Sequence, residues 1–302
     1  MPTLSRSSND NGRSLEYLIA KSLGDTPGVR LTSRAQTSQI RDENNLDNID
    51  PRLRITLKKA GSIAAGWVIS ELRPGSKSFL EVDRSSDGDE GVADLIISTS
   101  SLTLPLSVKL NHDALSHPRP YSLTAAVGLS GTAIDIDHRS RMDKAGGTFR
   151  RRIGRVETFS LVPHEKAQLY FEICEVCVET LNVIRKKPKN VAALFNFLVG
   201  PGCKKVVVRT NATKDLSEIE VFDYQQIEIP RTVQARTERR TEASSIVMNF
   251  DNGWQIGLRI HNASSRISPA NQLSLKFDAQ RISGKIPPSE VLFDGTVSSK
   301  RV

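Results

Sequence analysis

"VADLIISTSSLTLPLSVKLN", residues 92–111, is the stretch whose reading decides the fold. Its first part, "VADLIIS" (92–98), carries the branched residues of a strand, and "LTLPLSVKLN" (102–111) alternates strictly. Successive side chains of a strand point to opposite sides. Leu102, Leu104, Leu106, Val108 and Leu110 therefore share one face, and Thr103, Pro105, Ser107, Lys109 and Asn111 share the other. Pro105 has no amide to give a ladder, so the strand is expected to be irregular there. "TSS" between the two runs is short enough for a hairpin. If Ser98 pairs with Thr103, Asp94 lies directly opposite Ser107 and diagonal to Lys109; a one-residue slip separates them.

Outward from this hairpin the chain mixes helices and strands. Residues 1–10 read as a loose polar arm. "GRSLEYLIAKSLG" (12–24) places Leu15, Leu18, Ile19 and Leu23 at helical spacing, with Glu16 near its start. Residues 41–72 read as a polar turn followed by one or two helices, and 77–91 as a short strand followed by an acidic loop. Helices are predicted over 165–187 and 190–200, and strands over 204–210 and 218–229. Two more alternating runs, 253–262 and 273–279, set Arg259 and His261 on one strand and Lys276 and Asp278 on the other, each opposite an apolar face. The pattern is α/β (α+β), a mixed central β-sheet flanked by helices. We expect a core over residues 1–230 and a β-rich C-terminal segment, 231–302, packed on it within one domain. No internal repeat is present.

Composition bounds the function. The 302 residues are enough to bury a substantial core. No apolar run approaches a membrane span, and "MPTLSRSSNDNGRS" has no apolar region of a signal peptide. Three cysteines make no disulfide framework, so a reducing, cytoplasmic setting is expected. The net charge of +8 is concentrated: "HRSRMDKAGGTFRRRIGR" (138–155), "RKKPK" (185–189) and "RTVQARTERR" (231–240) are basic clusters. Such patches suit a protein that follows a phosphate backbone, or are simply solvated surface.

An acid on one strand and a lysine on its neighbour is the arrangement by which metal-dependent nucleases work. The carboxylate holds a divalent ion, and the lysine stabilises charge or orients the nucleophile. The usual pattern is an Asp, a gap of roughly ten to twenty residues, then acid-x-Lys. Asp94 and Lys109 fit it, but Ser107 stands where the second acid belongs. That acid must come from Glu16, Glu81, Asp83 or Asp113. The plainer reading is a surface cross-strand pair. "NHDALSHPR" (111–119) lacks the spacing of a metalloprotease, and Cys174 and Cys177 read as helix core rather than zinc ligands. No P-loop, dinucleotide fingerprint or nucleophile elbow occurs.

Four blocks, "SNDNGRSLEYLI" (8–19), "ADLII" (93–97), "LSVKLNHDALSHPRP" (106–120) and "NGWQIGLRIHNASSRISPANQLSLKFDAQ" (252–280), together resemble the HaeIII family of type II restriction endonucleases. The resemblance spans nearly the whole chain. It implies a restriction-endonuclease-like fold of the PD-(D/E)XK superfamily. It also implies Mg²⁺-dependent cleavage of double-stranded DNA at a short GC-rich palindrome, GGCC-like. A homodimer on a palindromic site and a cognate DNA methyltransferase follow as expected partners. On this chain Asp94 and Lys109 match the core motif and Glu16 the helix acid, with Asp94 and Glu16 as metal ligands. Asn111, His112, His117 and Arg119 match the element after the lysine. Asn111 and His112 are expected to extend the catalytic face; His117 and Arg119 are expected to contact DNA or to cap the next element. Arg259, His261 and Asn262 match the C-terminal block and are candidate DNA contacts, as are Arg139, Arg150, Arg151 and Arg152 of the basic run, since arginine is the commonest reader of guanine. The alternative is a catalytically inactive DNA-binding protein of nuclease descent, with Ser107 marking the loss.

Overall fold

The structure is a computed structural model that describes residues 8–72, 79–85, 92–112, 115–239, 243–268 and 272–295. The expected polar arm lies mostly outside the described residues, as do the acidic loop after residue 85 and Asp113. The chain divides into two compact units: Met1–Asp113, Pro201–Ile227 and Pro287–Val302 form the first, and Ala114–Gly200 and Glu228–Ile286 the second. The division is not a single cut near residue 230. The last described strand returns to the first unit, while the four strands before it belong to the second.

In the first unit, α1 (Ser8–Gly24), β1 (Val29–Leu31), α2 (Ser33–Leu46) and α3 (Pro51–Leu72) precede β2 (Leu80–Arg84), β3 (Leu95–Ser98) and β4 (Thr103–Leu110). Later segments add β5 (Lys204–Thr210), β6 (Leu216–Asp223) and β11 (Ser289–Asp294). The seven strands form one sheet in the order β1-β2-β3-β4-β5-β6-β11. β1–β2 and β4–β5 pair in parallel and the remaining pairs are antiparallel, so the sheet is mixed as expected. β3 and β4 pair Ser98 with Thr103 and Leu95 with Leu106, the register that keeps Asp94 beside Ser107. Leu104, Leu106, Val108 and Leu110 are buried in a core with Leu15, Leu18 and Ile19 of α1. Each such side chain removed from water contributes ~1.5–3 kcal/mol. α1 and α3 approach closely at Gly61, where a side-chain carbon would stand 3.0 Å from the Leu18 backbone.

Residues 41–46, expected in a polar turn, are the end of α2. This helix buries Ala35, Asp42 and Leu46, so an aspartate occupies a core position and disguises the periodicity. β6 stops at Asp223, six residues before the expected strand end.

The second unit contains α4 (Ala133–Ile153), α5 (Pro163–Ile184), α6 (Pro188–Val199) and a four-stranded antiparallel sheet. Its strands are β7 (Val233–Arg239), β8 (Ser244–Phe250), β9 (Gln255–Asn262) and β10 (Leu275–Ser283), in the order β10-β9-β8-β7. Phe195 of α6 packs edge-on against Phe250 and Trp254. Residues 115–118 run along the free side of β10, through Leu115 N–H to Ala279 O (2.9 Å) and Phe277 N–H to Pro118 O (2.8 Å). Among the described residues, no helix is long and apolar enough to cross a membrane.

Candidate active site

Three side chains of the first unit meet as the residue pattern implies. Asp94 stands just before β3, and its Oδ2 accepts from the Val108 amide (2.7 Å), the Ser107 hydroxyl (3.2 Å) and the Lys109 ammonium (3.5 Å). The backbone and hydroxyl bonds fix the carboxylate's rotamer, while Oδ1 makes no hydrogen bond among the described residues. The Lys109 and Asp94 side chains are only 12% and 24% exposed, so this is not a solvated surface pair. Ser107 is fully buried and serves as a donor to the aspartate.

The second carboxylate is Glu16 of α1. Burial, and then the negative charge of Asp94, push its pKa up to about 7, against the pull of Arg84 and Lys109. Arg84 Nη2 bonds Glu16 Oε2 at 2.5 Å, and Arg84 Nη1 bonds the fully buried Asp42. Glu16 Oε1 has no hydrogen bond among the described residues. A carboxylate whose pKa is raised in part by the neighbouring charge of Asp94, beside that aspartate and with one oxygen of each uncommitted, makes a locus that favours a cation. Magnesium is commonly held by one or two carboxylates plus water and phosphate oxygens. The donor set therefore fits such an ion. Of the other acids considered, Glu81 is exposed and Asp83 is engaged by Arg34 and Thr32. Among the described residues, no three His, Cys, Asp or Glu side chains gather as a metal cluster.

Asn111 does not extend the β4 face. The strand ends at Leu110, and Asn111 takes a left-handed φ of 61°, which asparagine tolerates better than most residues. Its carboxamide instead joins β4 to β5, donating to Thr210 Oγ1 (2.9 Å) and accepting from Thr210 N–H (2.7 Å). His112 is exposed just beyond it. Lys205 of β5, read only as part of a strand start, pairs in register with Ser107 and is 1% exposed, its ammonium 4.5 Å from the Tyr224 ring centroid. An isolated strand sequence gives no sign of that burial.

His117 and Arg119 belong to the second unit. His117 Nδ1 lies 2.9 Å from Asp278 Oδ1, and Arg259 Nη2 lies 3.0 Å from Asp278 Oδ2. His261 Nδ1 is 3.4 Å from the same Oδ2, without a hydrogen bond among the described residues. Burial raises the Asp278 pKa, yet Arg259 and the two imidazoles hold it below the usual carboxylate range. Asn262 accepts from the Tyr170 hydroxyl (3.1 Å) and donates to Ser264 O (2.6 Å). Arg119 is exposed at the start of a short 3₁₀ turn. Of the α4 arginines, Arg139 bonds Asp135, Arg152 bonds Glu172, Arg151 bonds Thr148 and Arg150 bonds the Ser268 carbonyl. The thiols of Cys174, Cys177 and Cys203 are buried, and burial raises all three well above the ordinary thiol range, which disfavours the thiolate that zinc needs.

A mixed sheet that sets an aspartate and a lysine on adjacent strands, with a glutamate from the preceding helix, is the framework of a metal-dependent nuclease. The family comparison makes this specific: the HaeIII restriction endonuclease model matches residues 12–285, and the chain belongs to that family. It is a type II site-specific endonuclease. A comparison with curated proteins finds no match. Among solved structures, restriction endonuclease MspI in complex with its cognate DNA aligns over 82% of this chain and 99% of that one, at 10% identity and a TM-score of 0.31.

Proposed function

We infer that the enzyme hydrolyses phosphodiester bonds in double-stranded DNA at a short GC-rich palindrome, GGCC-like, using Mg²⁺ held by Asp94 and Glu16. The observation that carries this reading is the contact of Lys109 with a buried-side aspartate beside Glu16. Mg²⁺, when bound, polarises a phosphate oxygen and makes water a better nucleophile. Lys109 places its ammonium beside Asp94, where it can donate to a phosphate oxygen and offset the charge that builds as the bond breaks. Ser107 and the Val108 amide lock Asp94 in one orientation, so the uncommitted oxygen is presented without a cost of reorganisation. Arg84 keeps Glu16 in place and partly ionised despite its burial. His112, next to the end of β4, joins the catalytic group as an exposed imidazole; Asn111 supports it by fixing that end.

DNA contacts are assigned to His117, Arg119, Arg259, His261 and Asn262, and to Arg139, Arg150, Arg151 and Arg152. A palindrome has twofold symmetry, so a homodimer matches it. The enzyme then acts in the cytoplasm, with a methyltransferase of the same specificity protecting host DNA. Incubating plasmid DNA with the purified protein and Mg²⁺ tests the reading. Discrete fragments whose sequenced ends share one GC-rich site are expected. Binding without any cut, in the presence of Mg²⁺, contradicts it and identifies a non-cleaving DNA-binding protein.

A further inference from the structure

We propose that Asp278 is a positioning residue for DNA specificity: it holds the Arg259 guanidinium, with His117 beside it, to read a guanine edge in duplex DNA. The proposal rests on the reading of the chain as a site-specific endonuclease and adds the recognition device. Two segments, β9 and residues 115–118, deliver side chains to this one carboxylate of β10. β9 and β10 set Arg259 directly across from Asp278. Residues 115–118 flank β10 on its other side, with Ala279 N–H bonding Ser116 O at 3.0 Å, and so bring His117 to the same aspartate.

Exposure separates the roles. The Asp278 side chain is 16% exposed and both its oxygens are engaged, whereas the Arg259 side chain is 64% exposed. The carboxylate is the inner, orienting group and the guanidinium the outer, presenting one. Only Nη2 of Arg259 is hydrogen-bonded among the described residues, to a single acceptor, so its second N–H and an adjacent N–H of Nε or Nη1 remain as a two-pronged donor edge. Guanine shows two acceptors, O6 and N7, on its major-groove edge, and a guanidinium fork matches them. Charge favours a base over a phosphate. A phosphate anchor gathers uncompensated cations. Here the positive charge of Arg259 is balanced by Asp278, so the pair offers directed hydrogen bonds rather than net charge. A carboxylate that fixes one side of the guanidinium also lowers the ordering cost when its other side meets a base.

The test is selection from random-sequence duplexes by the full-length protein, with Ca²⁺ replacing Mg²⁺ so that binding is read apart from cleavage. Wild type, Arg259→Ala, Asp278→Asn and Asp278→Glu are compared, with thermal melts to confirm folding. Wild type is expected to enrich a GC-containing motif. Arg259→Ala should enrich the same motif with one G·C position per half-site degenerate, its discrimination there down roughly 10- to 100-fold. Asp278→Asn should loosen that same position, and Asp278→Glu should restore part of it, a position-specific pattern that general destabilisation does not produce. The dependence of affinity on salt should stay as in wild type. An unaltered motif for Arg259→Ala overturns the proposal, whether or not the salt slope falls by the roughly 0.9 expected for a lost phosphate contact. A loosened motif in Arg259→Ala with an intact one in folded Asp278→Asn overturns the role of Asp278. Wild type that selects a motif yet leaves it uncut in Mg²⁺ defeats the nuclease reading while supporting this one; wild type that selects no motif overturns both.

Discussion

Replacing Arg84 with methionine removes the cation that joins the active-site helix to α2 and β2. The guanidinium is 5% exposed and bridges two carboxylates, Asp42 at 0% and Glu16 at 17% side-chain exposure. Breaking a buried ion pair from one side costs about 3–5 kcal/mol, because the remaining charge is left in a poor solvent. Two features of this site reduce the figure. Asp42 keeps a second partner, Arg41 Nε at 3.0 Å. Glu16, whose pKa is already raised to about 7, can become neutral at little cost. The expected loss is therefore at the lower end, about 3 kcal/mol, or roughly a hundredfold in the folding equilibrium. Urea denaturation measures it. The two tryptophans separate the units, since Trp67 lies in the first and Trp254 in the second, so a Trp254→Phe background leaves Trp67 to report on the affected unit. Adding Asp42→Leu to Arg84→Met should recover part of the loss, because the double variant no longer buries a carboxylate that has lost its buried partner. A loss below about 1 kcal/mol for the single change, or strictly additive losses in the double, refutes this account.

Three further changes test other parts of the structure. His138 is fully buried between Thr180 Oγ1 and Pro120 O, each at 2.9 Å, and burial holds its pKa below the ordinary value of 6.5. The unfolded chain therefore takes up a proton that the folded one resists, and stability is lost as pH falls below about 6.5; His138→Gln should flatten the melting-temperature profile between pH 7 and pH 5, and parallel profiles contradict the assignment. Gly61→Ala gains helix propensity of about 1 kcal/mol but drives a methyl to 3.0 Å from the Leu18 backbone on the helix that carries Glu16. A net destabilisation of ~1–3 kcal/mol with slower cleavage is expected, and a more stable, equally active variant contradicts it. Ser107→Ala removes one hydrogen bond to Asp94, worth ~0.5–1.5 kcal/mol, and should leave cleavage within about tenfold of wild type; complete loss of cleavage by a folded Ser107→Ala protein shows that the serine does more than orient the aspartate.

Local patterning reached the Asp94 and Lys109 hairpin at the centre of the first unit because that pairing is short-range. The alternation of 102–111, the three-residue link and the pairing of Ser98 with Thr103 fix where Asp94 and Lys109 stand relative to each other. Helix α4 was hidden for a physical reason. Its buried face is built from Asp135, His138, Met142, Ala145, Gly146, Phe149 and Ile153, a helical spacing in which two polar and two small residues break up the apolar ones. The basic run on that helix suggested DNA contact; that Arg139 and Arg152 also each meet an acid of their own unit is visible only in the tertiary structure. Asp278 stood on the predicted polar face of its strand, but nothing local reveals that His117, 161 positions away, shares it. What could have pointed there is the coincidence of two histidine-bearing blocks with one acid in the same alternating tail.

The sharpest examination of the catalytic centre is single-turnover cleavage of a cognate duplex in Mg²⁺ by Asp94→Asn, Glu16→Gln and Lys109→Ala, each shown to be folded. Every one of the three should slow bond breakage by roughly 10²-fold or more, while affinity for the duplex in Ca²⁺ stays near that of wild type for Lys109→Ala. A Lys109→Ala or Glu16→Gln protein that cuts at the wild-type rate contradicts the account.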